Sequence, residues 1–239
     1  GWVRTRQGHG HDPQQFTFKA GDALYATFEC RTVDVLLAFG TNGRVYTVPV
    51  NGLPGGRGDG VPLTTLIELA PGTQIAHTFA GNAEQRMLMA TAGGNGFVTK
   101  VGDMTSRQKG GKAFVTLDEG DALLKPEAIG AESTHAACLS EQGRLLLVAF
   151  DEIKVLSAGG RGVMLMELEP KETLVQALAV GAPGLVVTAT GQRGGKVPPQ
   201  TLAGKTLLPF VGKRARKGRA VEAKLKDVRI EAVRPAPAA

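Results

Sequence analysis

Val35-Leu36-Leu37-Ala38-Phe39-Gly40-Thr41-Asn42-Gly43-Arg44-Val45-Tyr46-Thr47-Val48 packs an apolar run, a polar turn ending in glycine and a second apolar run into one short stretch. Short apolar runs bounded by turn residues read as buried strands, and an Asn-Gly pair between two of them reads as a tight hairpin of the type I′ kind, whose two central residues both need φ > 0. The same unit returns as Arg86-Met87-Leu88-Met89-Ala90, a turn Ala92-Gly93-Gly94-Asn95-Gly96, and Phe97-Val98-Thr99-Lys100-Val101. A third copy joins Thr134-His135-Ala136-Ala137-Cys138-Leu139 to Arg144-Leu145-Leu146-Leu147-Val148 through Ser140-Glu141-Gln142-Gly143. A fourth, less regular, starts at Leu185-Val186-Val187-Thr188-Ala189, turns at residues 190–194, and is interrupted by Pro198 and Pro199. Anchoring the repeats on Gly43, Gly96 and Gly143 spaces them by 53 and 47 residues, a period that fits a four-stranded blade of a propeller-like fold.

A second marker follows each hairpin. It is a glycine-and-cation cluster: Gly55-Gly56-Arg57-Gly58, Lys109-Gly110-Gly111-Lys112, Gly159-Gly160-Arg161-Gly162 and Arg216-Lys217-Gly218-Arg219. An apolar segment follows each one. Glycine permits positive φ and close backbone approach while the neighbouring cation stays in solvent. A cation at the same point of every repeat would take equivalent places around a closed ring. Residues 1–21 look like the second half of another repeat, which brings the expected count to five blades. The expected fold is therefore all-β, one propeller-like domain over residues 1–234, with a Pro/Ala-rich tail at 235–239 expected to fray.

Composition supports this reading. With 42% apolar residues among 239, the chain can bury a core, and 33 Gly with 13 Pro suit many tight turns between short strands. Cys30 and Cys138 stand far apart with no CxxC, which points to a reduced, cytosolic setting. The opening Gly1-Trp2-Val3-Arg4 resembles a strand more than a signal peptide, so the chain is expected to be cut from a longer protein. No apolar run approaches a membrane span; residues 177–190 come nearest and are broken by Gly181, Pro183 and Gly184.

The formal charge of +6 favours an anionic partner. The candidate phosphate-binding residues are Arg4, Arg6, Arg57, Arg107, Lys109, Lys112, Arg161, Lys213, Arg214, Arg216, Lys217 and Arg219, beside turns and glycine-rich clusters whose N–H groups can supplement them. No base-reading helix is expected, so recognition should be electrostatic and independent of sequence. No catalytic residue is assigned. His9, His11 and Asp12 lack a further strong ligand nearby and read as a polar loop, so no metal is expected. Gly204-Lys205-Thr206 resembles the end of a phosphate-binding loop, but position 199 is Pro where that loop needs Gly. Asp118-Glu119 and Asp151-Glu152 read as surface turns. Tyr25 and Tyr46 sit in strand-like apolar surroundings and read as packing residues, as does Trp2.

The opening Gly1-Trp2-Val3-Arg4, Gly8-His9, Phe18-Lys19-Ala20-Gly21-Asp22, the recurring hairpin with its Gly/Arg cluster, and the closing Val211-Gly212-Lys213-Arg214-Ala215-Arg216-Lys217-Gly218-Arg219 together resemble the C-terminal domains of bacterial topoisomerase IV A subunits. That resemblance implies a β-pinwheel, in which neighbouring blades exchange a strand, and duplex DNA held along its basic outer edge. The related gyrase A-subunit domain carries a Gln-Arg-Arg-Gly-Gly-Lys-Gly box in its first blade. Residues 6–19 lack it, while Arg107-Gln108-Lys109-Gly110-Gly111-Lys112-Ala113 and Gly191-Gln192-Arg193-Gly194-Gly195-Lys196-Val197 are degenerate versions. Bending or docking of DNA is thus expected over gyrase-type wrapping; a protein-binding propeller is the other alternative, and it leaves the repeated cations unexplained. The resemblance further implies two protein partners, the catalytic N-terminal part of the same polypeptide and the ATPase B subunit. It also implies a nucleoid-associated cytoplasmic location, and ATP and Mg used by that holoenzyme with no cofactor in this segment.

Overall fold

The computed structural model describes all residues except 57, 192, 193, 196, 223, 224 and 234–239. Arg57, three residues of the 191–197 box and the expected tail at 235–239 therefore lie outside the described residues. A short strand β1 (Trp2–Val3) is followed by four repeats of four strands. The first repeat supplies β2 (Val35–Gly40), β3 (Arg44–Pro49), β4 (Val61–Pro62) and β5 (Ile75–Gly81). The second supplies β6 (Arg86–Ala90), β7 (Asn95–Lys100), β8 (Lys112–Ala113) and β9 (Glu127–Ala128). The third has β10 (Ser133–Ser140), β11 (Arg144–Ala149), β12 (Val163–Met164) and β13 (Leu174–Gly181), and the fourth β14 (Leu185–Gly191), β15 (Gln200–Leu202), β16 (Arg219–Ala220) and β17 (Leu225–Ala232). The one α-helix among the described residues is α1 (Val101–Met104).

In each repeat the first two strands form a hairpin and the fourth returns beside the first. The third leaves its own repeat and pairs with the second strand of the repeat before it: β4 with β1, β8 with β3, β12 with β7 and β16 with β11. Among the described residues the result is five antiparallel sheets, ordered β1-β4, β5-β2-β3-β8, β12-β7-β6-β9, β13-β10-β11-β16 and β15-β14-β17. Gly1–Gln85 with Val101–Phe114 form one compact unit, and Arg86–Lys100 with Val115–Ala239 another. The sheets containing β1 and β2 belong to the first unit, the other three to the second.

The β10–β11 hairpin is apolar over residues 136–139 and 145–148 because both of its faces are buried there. Along β10 and β11, Ala136, Cys138, Leu146 and Val148 face one core of the second unit, while the alternating Ala137, Leu139, Leu145 and Leu147 face another. Side chains alternate across a strand, so a sheet lodged between two cores needs apolar residues at every position. In the first unit Leu36, Ala38, Tyr46 and Val48 pack on Leu63, Ile67 and Ala80. Burial pushes the Cys138 thiol up to about 12, and the residue behaves as a small apolar core side chain.

Three local expectations need correction. The turns are not of the type I′ kind: positive φ is confined to the last residue, Gly43, Gly94 or Gly143, whose N–H bonds back to the carbonyl of Gly40, Thr91 or Ser140. This is the three-residue loop closed by a left-handed glycine. The second-repeat equivalent of Gly43 and Gly143 is thus Gly94; Gly96 lies inside β7, opposite Val163. Tyr25 is 72% exposed and outside any strand, its hydroxyl donating to the Ala76 carbonyl, and Trp2 is 64% exposed, so neither is a core residue, whereas Tyr46 is fully buried. In the fourth repeat the second strand is postponed until after Pro199, which cannot donate to a ladder.

Candidate nucleic-acid interface

Each exchanged strand is entered through a glycine with positive φ: Gly60 (89°), Gly111 (60°), Gly162 (81°) and Gly218 (68°). A Cβ on any of them would meet a carbonyl oxygen of the receiving strand, Val3 at 2.4 Å, Val45 at 2.4 Å, Gly96 at 2.1 Å and Leu145 at 2.6 Å respectively. Val3, Val45, Gly96 and Leu145 occupy one register position in successive sheets. The glycine is thus the feature locked in phase with the fold. The cations are not: relative to the exchange glycine, Arg57 stands three residues before, Lys109 and Arg216 two before, Arg161 and Lys217 one before, and Lys112 and Arg219 one after. The expectation of a cation at the same point in each repeat gives way to a loop of constant backbone carrying charge at varying positions.

The loops are chained to the segments that follow the preceding exchange. Glu68 N–H donates to the Lys109 carbonyl, Thr116 N–H to that of Gly160, and Glu167 N–H to that of Arg216, at 2.9, 3.0 and 3.1 Å. The accepting carbonyl is in each case two residues before the exchange glycine. Arginines of the receiving sheets add side-chain bonds. Arg44 donates Nε and Nη2 to the Gly110 and Gly111 carbonyls at 3.0 and 2.8 Å, and Arg144 donates Nη1 to the Lys217 carbonyl at 2.9 Å. Arg44 and Arg144 share a register position, opposite Ala113 and Ala220. Sequence reading passed them over, although both directly follow a turn glycine.

The predicted phosphate-binding residues fall into distinct groups. Arg4 is half-buried and its Nη1 donates to the Gly58 carbonyl at 2.6 Å, which makes it a fastener of the first exchange loop. Lys112 is half-buried, with Nζ donating to the Asp103 carbonyl and lying 5.2 Å from the centre of the Phe114 ring. Arg6 is exposed and stacks its guanidinium 4.6 Å from the Phe16 centroid. Arg214 is exposed and spans to the Met164 carbonyl, while its N–H donates to Glu152. Arg161 pairs with Asp118 at 2.6 Å and Lys217 with Glu169 at 2.7 Å. Arg107, Lys109, Lys213, Arg216 and Arg219 are exposed, with no side-chain hydrogen bond or ion pair among the described residues. Arg216, Lys217, Gly218 and Arg219 also line a shallow groove of about 200 Å³ floored by Leu146 and Phe210.

Elsewhere, His11 Nε2 meets the Gln7 carbonyl and Asp12 caps the short turn Pro13–Gln15, and the Gly204–Thr206 stretch is a single 3-10 turn followed by another at Leu208–Phe210 rather than by an α-helix. No described helix is long and apolar enough to cross a membrane.

Residues 34–66, 85–129 and 135–180, more than half of the chain, match the family described as DNA gyrase C-terminal domain, beta-propeller. The chain belongs to that family. Within it, the chain is 35% identical over 230 residues to the A subunit of DNA topoisomerase 4 from Neisseria gonorrhoeae and 30% identical over 224 residues to its counterpart from Escherichia coli K12. These alignments cover 92% and 91% of the chain but 29% of each relative, so the chain spans under a third of their length. Among solved structures, the E. coli ParC C-terminal domain superposes with a TM-score of 0.82 at 27% identity, covering 97% of this chain and 95% of that one. A DNA gyrase A C-terminal domain shares the fold at a TM-score of 0.65 and 19% identity, covering 91% and 72%. The all-β pinwheel and the resemblance to topoisomerase IV A subunits are both borne out. The strand exchange is what distinguishes this gyrase-family fold from sheets that keep all four strands of one repeat.

Proposed function

We propose that this chain binds duplex DNA without sequence preference through its exchange loops, and bends or presents that duplex to the catalytic part of a type IIA topoisomerase of the topoisomerase IV kind. The observation that carries the reading is the continuous run 213–219, where Lys213, Arg216 and Arg219 are exposed without side-chain partners among the described residues and Arg216 and Arg219 border a groove. Cations mounted on a rigid backbone and open to solvent are suited to phosphates, and the four-residue α1 is too short to read a major groove. Supercoil relaxation and separation of linked chromosomes would belong to the assembled enzyme. Its catalytic N-terminal part and ATPase B subunit would supply cleavage, ATP and Mg, with this domain working in the cytoplasm on the nucleoid and holding no cofactor.

Titration with a linear duplex over a range of salt tests this. A footprint of ~6 phosphates gives a log–log slope of about −5. Binding that is absent or flat in salt contradicts the reading and favours a protein-binding propeller. A large linking-number shift on closed circles would instead indicate gyrase-type wrapping.

A further inference from the structure

The exchange loops of the second unit repeat a charge pair as well as a glycine. Asp121 N–H closes a turn on the Asp118 carbonyl, Glu172 N–H on that of Glu169, and Thr73 N–H on that of Ala70, at 3.0, 2.9 and 3.0 Å. Just after each turn, the carbonyls of Ala122, Thr173 and Gln74 accept the N–H of Ala92, Glu141 and Thr41 in the adjoining hairpins. These bonds make Ala70, Asp118 and Glu169 one position in three repeats. The residue preceding the exchange glycine of the following loop is Gly110, Arg161 and Lys217 in the same order. Where the turn carries an acid the loop carries a cation, and the two are paired; where the turn has alanine the loop has glycine.

Neither pair is a core device. Side-chain exposures are 57% and 48% for Arg161 and Asp118, and 51% and 43% for Lys217 and Glu169, and such exposed pairs add little stability. The turns that carry the carboxylates are nevertheless fixed in place. Glu169 N–H donates to the Glu172 carboxylate at 2.8 Å; Glu172 is gripped by Arg144, which also holds the Lys217 carbonyl. In the other turn the Asp121 carboxylate accepts the Gly93 N–H at 2.7 Å. A carboxylate held against a guanidinium or ammonium uses the same charge-assisted hydrogen bonds that a phosphate would use.

We infer that Asp118 and Glu169 occupy two phosphate positions of the DNA-binding face and must be displaced before Arg161 and Lys217 can engage a duplex, so that these two acids set the affinity of the domain. This rests on the DNA-binding reading above. The test is duplex titration of the 239-residue chain carrying Asp118→Asn, Glu169→Gln or, as a control of equal charge change, Glu119→Gln, the exposed neighbour of Asp118. The first two variants should bind about two- to fivefold tighter than the parent. Their gain should exceed that of Glu119→Gln, with a salt slope steeper by up to about 0.9 each. The excess gain of Asp118→Asn should vanish when Arg161 is replaced by Ala. Gains no larger than that of Glu119→Gln, or an excess that survives in Arg161→Ala, would overturn the inference while leaving the DNA-binding reading intact. A parent chain with no salt-dependent binding would overturn both.

Discussion

A methyl group on Gly162 would lie 2.1 Å from the Gly96 carbonyl oxygen and 2.4 Å from its carbon, and the residue's φ of +81° is one that L-residues resist. The clash is with backbone, so no side-chain rotation relieves it; β12 must move off β7. Gly120 separates the two costs, since its φ is +76° but nothing lies within 4 Å of the added carbon. Gly162→Ala is expected to destabilise the second unit by about 3 kcal/mol, and Gly120→Ala by only about 1 kcal/mol. Denaturant midpoints followed by circular dichroism measure both, and equal losses would show that φ alone fixes the glycine. At this scale the turns were legible in the sequence and their phase was not. A glycine ending a polar turn is visible in a window of a few residues, but Gly94 and Gly96 are separable only when one knows which faces Val163. Trp2 and Tyr25 were misread for a related reason, because aromatic character signals burial only when a second element arrives to cover it.

Among elements, the exchanged strands are held by very few residues. β16 contributes two pairs with β11, so side chains must do the rest. Arg144 is central: Nε meets Glu172 Oε1 at 3.3 Å, Nη2 the other oxygen, and Nη1 the Lys217 carbonyl. The Glu172 side chain is fully buried and that of Arg144 is 14% exposed. Burial pushes the Glu172 carboxyl up, but hydrogen bonds from Arg144, Ser140 and the Glu169 N–H, with the Arg144 charge, outweigh it and hold the group below the usual carboxylate range. A depressed carboxyl stabilises the fold above its unfolded pKa and loses that contribution as pH falls through the folded value. Glu172→Gln should therefore cost about 3 kcal/mol at neutral pH by leaving Arg144 uncompensated. It should also flatten the acid limb of the stability curve below about pH 4. Thermal midpoints from pH 3 to 7 record this; an unchanged acid limb would assign the loss to packing. None of this was legible in advance. Hairpins are local and announce themselves through glycine and apolar runs, but the bond between Arg144 and Lys217 spans 73 residues, and the Gly/cation cluster, though its glycines signal close backbone approach, does not say which distant side chain holds it.

For the molecule as a whole, the net charge of +6 says less than where the unpaired cations stand. Several predicted DNA-binding residues are already engaged: Arg4 and Lys112 on carbonyls, Arg161 and Lys217 on carboxylates. The free ones among the described residues fall into two sets, Arg107 and Lys109 in the first unit and Lys213, Arg216 and Arg219 in the second. If affinity comes from counterion release, each phosphate that is no longer neutralised takes about 0.9 from the salt slope regardless of DNA sequence. Replacing Lys213, Arg216 and Arg219 by Gln should then make the slope shallower by about 2 to 3, whereas Arg107→Gln with Lys109→Gln should remove less than about 2. Both variants should weaken binding by the same factor on duplexes of unrelated composition, because phosphates position a protein without informing it of bases. A loss confined to one sequence would mean that these side chains reach base edges, which loops mounted on fixed glycines, without a helix to enter a groove, are poorly built to do.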